Sequence, residues 1–111
     1  MNRPAFRERY PALSATIGGE FGDSAADDDE AIAHNFAAEF PPEERARYLG
    51  ALLAEAHLLM DNIDEHWEAM AKEANRRLYT RDAARGWLVR ITIAWQEELT
   101  RLRDGGSQQP S

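Results

Sequence analysis

The chain has 111 residues, 43% of them hydrophobic, with a formal net charge of −7, which suits one domain that buries roughly two-thirds of its unfolded surface. It contains no cysteine, which excludes a disulfide framework, a thiolate zinc site and a cysteine nucleophile. No apolar run approaches the ~18 residues that span a bilayer, and residues 1–9 lack the apolar stretch of a secretory signal, so a soluble, cytoplasmic protein is expected.

Pro11 disfavours helical geometry at Tyr10 but suits the first position of a helix starting there. Leu13 and Ile17 then share a face, Phe6 and Tyr10 extend it upstream at the same four-residue spacing, and Gly18-Gly19 is expected to end the segment. Residues 19–28 read as a loop of glycine, serine and acids, with Phe21 its large apolar residue. Asp27, Asp28 and Asp29 would cap a following helix and favour its positive end. Its buried face is marked by Ile32, Phe36, Ala37 and Phe40.

Pro41-Pro42 stops that helix, and Pro42-Glu43-Glu44 opens the next. Tyr48, Leu49, Leu52, Leu53, Ala56, Leu59 and Met60 recur at three- and four-residue spacing, the helical signature. Asp61 or Asn62 interrupts the run. Ile63, Trp67, Met70, Ala71 and Ala74 form a fourth stripe, with Asp64, Glu65, Glu68 and Glu73 expected to face water. After a polar break at 75–80, Leu88, Ile91, Trp95, Leu99 and Leu102 define a last helix over roughly 81–103. Asp104-Gly105-Gly106 should close it and leave a frayed tail.

No period-two alternation of useful length occurs, so the expected fold is all-α: a small irregular bundle of about five helices, one domain over 1–104 with a flexible tail over 105–111. Leu13, Phe36, Leu49, Leu52, Leu53, Trp67, Leu88, Ile91 and Trp95 should form its core.

Charge is distributed unevenly. From Ala15 to Glu44 there are nine acidic residues and no lysine or arginine. Residues 15–74 carry −12, whereas 1–14 carry +2 and 75–111 carry +3. Such a field repels phosphate backbones and anionic lipids and attracts basic partners. Direct nucleic-acid or membrane binding is therefore not expected. Arg81, Arg85, Arg90, Arg101 and Arg103 share their helix with Asp82, Glu97 and Glu98, and are expected to pair within the protein.

Catalytic patterns do not emerge. His57 and His66 straddle the break at Asp61. Asp61, Asp64, Glu65 and His66 are rich in potential ligands but match no metalloenzyme spacing, and read as a solvated helix surface. The run Asp27-Asp28-Asp29-Glu30 lacks the alternate spacing and central glycine of a calcium loop. Ser14, Ser24 and Ser107 lie in no nucleophile elbow, and Gly18-Gly19 lacks the lysine of a phosphate loop. A nuclease built on His34 or His57 with Lys72 would repel its own substrate. Neither an enzyme, a metal nor a cofactor is expected.

Several short elements follow in order: Tyr10-Pro11-Ala12-Leu13, Gly18-Gly19-Glu20-Phe21, the acidic run to Glu30 with Ile32 behind it, Pro41-Pro42-Glu43-Glu44 before a Leu/Ala-rich helix, and Trp87-Leu88 in the closing helix. This order resembles a family of small helical immunity proteins of bacterial contact-dependent growth inhibition systems. The resemblance covers residues 9–56 and, more loosely, 78–102. Phe21 stands where that family places two adjacent aromatics, and residues 57–77 have no counterpart.

The resemblance implies a dedicated inhibitor that binds a toxin domain delivered by a neighbouring cell and blocks it in the cytoplasm. Many such toxins are nucleases with basic grooves, including transfer-RNA-cleaving ones, where an acidic helical surface would compete with nucleic acid and associate fast. The expected toxin-binding residues are Glu20, Phe21, Asp23, Asp27, Asp28, Asp29 and Glu30, followed by Asp61, Asp64, Glu65 and Glu68. The alternative is an acidic helical interaction module or homodimer with no toxin partner.

Overall fold

Proline at position 11 divides the N-terminal arm in two. The structure, a computed structural model, describes residues 3–21, 33, 41–74 and 76–107. Helix α1 (Arg3–Arg9) and helix α2 (Pro11–Thr16) meet at Tyr10, whose φ of −127° and ψ of 66° lie outside the helical region that a following proline disfavours. Backbone bonds bracket the joint, from the Tyr10 N–H to Phe6 O at 2.9 Å and from the Ser14 N–H to Tyr10 O at 2.8 Å.

Tyr10 offers no capping side chain of its own. The Glu55 carboxylate does so from elsewhere in the chain, accepting the Leu13 N–H at 2.9 Å and the Ala12 N–H at 3.3 Å. A negative group at these free N–H donors also suits the positive end of the helix.

The Gly18-Gly19 pair does not end the segment as expected. Ile17–Phe21 continue as a π-helical turn, a widened turn that occurs mostly as single insertions. Asp23, Asp27, Asp28, Asp29 and Glu30 lie outside the described residues, as do Ile32, Phe36, Ala37 and Phe40 of the expected second helix; Ala33 is described and fully buried.

Helix α3 (Pro42–Asp61) begins with Pro42 at its first position and Glu43 and Glu44 in its first turn, where they complement the helix dipole. It breaks at Asn62, whose φ of −119° and ψ of 24° leave the helical region while its Nδ2 donates to Leu58 O at 2.8 Å. Helix α4 (Ile63–Glu73) follows. Thr80 then caps helix α5 (Arg81–Ser107), its Oγ1 accepting the Ala83 N–H at 3.0 Å. The last helix runs through Gly105-Gly106 to Ser107, past the stop expected at Asp104.

Among the described residues there is no strand, and the fold is all-α. Helix α5 packs against both α3 and α4, and the arm lies against both of them. Leu49, Leu52 and Leu59 meet Leu88, Ile91 and Trp95 in one core, joined from the arm by Phe6, Tyr10, Leu13 and Ile17. Each large apolar side chain fully buried there stabilises by about 1.5–3 kcal/mol. Trp87 and Trp95 are buried, whereas Trp67 is only half-buried at the edge. No described helix is long and apolar enough to cross a membrane.

Candidate functional site

Helix α4 has two faces, and each holds charged groups in a different condition. Its inner face follows the spacing Ile63, His66, Met70, Glu73, all buried. Two of these positions are polar, contrary to the solvated placement expected for both.

His66 is bonded to the arm. Its Nδ1 lies 2.7 Å from the Tyr10 hydroxyl, and the two rings meet edge to face at 5.7 Å between centroids. Burial raises the Tyr10 pKa above its usual value, against the hydrogen bonding and charge of Arg9. The phenol thus keeps its proton, and the hydroxyl and the Nδ1 of the ring share one hydrogen bond whose donor is set by the imidazole tautomer. Burial lowers the His66 pKa, reinforced by the charge of Arg9 and opposed by that of Glu65. His66 is therefore neutral at physiological pH.

Glu73 binds the arm two helix turns further on. Both of its carboxylate oxygens accept from Arg7 Nε, at 3.0 and 3.2 Å, and its side chain is only 4% exposed. Arg7, Pro11, Ser14, Ala15, Gly18, Gly19 and Glu73 line an open groove of about 490 Å³. The guanidinium and carboxylate in its wall already face each other, so neither is presented to a ligand as an isolated charge.

The outer face carries the acids expected at a docking site. Asp61 ends α3, Asp64, Glu65 and Glu68 lie on α4, and all four are exposed; Glu68 stands four residues beyond Asp64 and three beyond Glu65, which aligns these three on one side of α4. Asp64 is taken up by Arg81 at the start of α5, with Oδ1 2.8 Å from Nη1. Glu65 has 81% of its side chain exposed, its Oε2 4.0 Å from His66 Nε2. Asp61 and Glu68 pair with no described arginine or lysine. Glu20 and Phe21 belong to the π-helical turn, and the structure describes only their backbone.

The remaining chemistry is structural. Ser14 Oγ donates to Pro11 O at 3.2 Å, and Thr16 Oγ1 to Ala12 O at 3.0 Å, so neither hydroxyl is bonded to a histidine. Of the arginines expected to pair within the protein, Arg81 reaches Asp64 in the acidic half, whereas Arg101 pairs with Glu98 on its own helix at 2.8 Å. Among the described residues no group of three or more His, Asp or Glu side chains is placed to hold a metal ion.

Sequence reasoning missed Glu55, Glu73 and the Tyr10–His66 pair. The last three had a signal in the three-to-four-residue spacing with Ile63 and Met70 on one helix and with Phe6 and Leu13 on the arm. No family model matches the chain, and neither a characterised protein nor a solved structure is significantly similar to it.

Proposed function

We propose that this protein is a non-catalytic immunity protein that binds and neutralises a basic toxin domain, a nuclease, in the cytoplasm. The observation that carries the reading is the division of charge on α4. Its buried polar groups are bonded within the fold, while Glu65 and Glu68 stand exposed on its outer face and Asp61 stands exposed at the end of α3. Fixed, unneutralised carboxylates of this kind steer a basic partner and compete with its phosphate ligand. The order of short elements shared with contact-dependent growth inhibition immunity proteins supplies the toxin as that partner. The acidic run from Asp23 to Glu30 adds to the same field.

The test uses the products of the genes adjacent to this one as candidate toxin domains. The wild-type chain should bind one of them and protect a cell expressing it. Asp61→Lys, Glu65→Lys and Glu68→Lys together should slow association at least tenfold and flatten its salt dependence, with the helical circular dichroism unchanged. Protection that survives both this triple variant and Asp23→Lys, Asp28→Lys, Glu30→Lys would remove the acidic surface from the mechanism. Absence of any complex would leave the interaction module or homodimer.

A further inference from the structure

We propose that helix α3 pairs with its own copy, antiparallel and crossing at Ala54, so that two chains form a twofold dimer. The inference does not rest on a toxin partner, and its test uses this chain alone.

The outward face of α3 carries it. Arg47, Gly50, Ala51, Ala54, Leu58 and Asp61 are all exposed, and at 3.6 residues per turn they fall on one side of the helix. Leu58, a large apolar side chain, is 39% exposed there. Glycine is a poor residue for the interior of a helix, yet Gly50 stands near the middle of this 20-residue one. Its own fold does not require the missing side chain, because nothing lies within 4 Å of the Cβ position. The bare backbone admits a close approach from outside.

The face is also complementary to itself. In a twofold contact one patch meets its own copy, and residues equally far from the axis on opposite sides face each other. Arg47 and Asp61 each stand seven residues from Ala54, about 10 Å along the helix, so a cation of each copy meets an anion of the other. Neither pairs with an opposite charge among the described residues. Gly50 and Leu58 each stand four residues from Ala54, which lays the exposed leucine on the bare backbone. His57 falls opposite Ala51, at the edge of an open groove of about 380 Å³ lined by Ala12, Glu44, Arg47, Tyr48 and Ala51. A parallel pair would set Arg47 against Arg47 and Asp61 against Asp61, and this repulsion selects the antiparallel arrangement. Glu65 and Glu68 lie on α4, beyond the break at Asn62, and take no part in the pairing.

The contact is one helix wide and about 21 Å long between Arg47 and Asp61. That is less than a standard interface, so the dimer belongs with weak, transient complexes. At physiological salt the repulsion between two chains of net charge −7 is screened beyond about 8 Å, whereas the Arg47–Asp61 pairs act at contact.

Sedimentation equilibrium of the full chain, from roughly 10 µM to 1 mM at physiological salt, reads the association. The wild type should pass from monomer towards dimer over that range. Arg47→Glu and Asp61→Arg each set like charges opposite one another and should each weaken association at least about tenfold. An equimolar mixture of these two variants should associate again, to within about threefold of wild type, because one is acidic at both positions and the other basic at both. Gly50→Leu should raise the melting temperature of the isolated chain, since it removes a helix-interior glycine, and still weaken association at least about tenfold by blocking the approach. A chain that stays monomeric throughout the range overturns the proposal. So does a dimer that either charge reversal or Gly50→Leu leaves unchanged, or a mixture of the two reversals that remains monomeric.

Discussion

Gly18 and Glu73 occupy space that a single added carbon would make them contest: a Cβ at position 18 would lie 2.8 Å from Glu73 Oε1. The carboxylate ends a flexible side chain, but it is buried and held by Arg7, so it cannot retreat without breaking that pair. Gly18→Ala should therefore destabilise the protein by about 1–3 kcal/mol, as overpacking does. Gly19, one residue on, has nothing within 4 Å of its Cβ position, and Gly19→Ala should be neutral or stabilising by up to about 1 kcal/mol. Urea denaturation of the two variants would settle the contrast, and equal effects would contradict it.

Removing the Glu55 carboxylate should uncap α2. Glu55→Ala is expected to cost about 1 kcal/mol, the usual loss for a helix cap. The Ala12 and Leu13 amides should exchange faster than any in α5. A variant with full stability and unchanged exchange at those two positions would show that the cap is dispensable.

Tyr10→Phe keeps the aromatic packing but leaves the buried His66 Nδ1 without its partner. The expected loss is about 1–3 kcal/mol, the penalty for an unsatisfied buried polar group. The same variant should leave His66 titrating below its ordinary pKa, since burial and the charge of Arg9, which lower it, both remain. Proton NMR of the imidazole would read the second effect separately from thermal unfolding.

Charge reversal should divide the acids of α4 by face. Glu65→Lys and Glu68→Lys lie on exposed positions and should each change stability by no more than about 0.5 kcal/mol. Glu73→Lys would bury a cation against Arg7 and should cost about 3–5 kcal/mol or prevent folding. Similar melting temperatures for all three would overturn the two-faced description of the helix.

Much of the bundle could be read from spacing alone. Leu49, Leu52 and Leu53 on one helix and Leu88, Ile91 and Trp95 on another are apolar residues at helical period, and all six are buried. Residue type misled where it disagreed with position. His66 and Glu73 occupy the inner stripe beside Ile63 and Met70, and their polarity suggested water although their spacing indicated the core. Glycine misled in the other direction, since Gly18-Gly19 sits in a continuing π-helical turn and Gly105-Gly106 within α5. Glu55 could not have been found locally, because the N–H groups that it satisfies are 42 and 43 residues away. The exposed acids of α4 were legible as a group, but their division between Asp64, held by Arg81, and its unpaired neighbours depends on how α5 is docked.

The borrowed cap on α2 also sets an order of events during synthesis. A six-residue helix with no cap of its own is far shorter than the roughly 12–15 residues at which isolated helices become even marginal in water. Although α2 leaves the ribosome ahead of most of the chain, it has no means of persisting until Glu55 has emerged and α3 has formed around it. The arm is thus made before the helices that it packs against and ordered after them, and Phe6, Tyr10, Leu13 and Ile17 remain exposed to the surroundings in the interval.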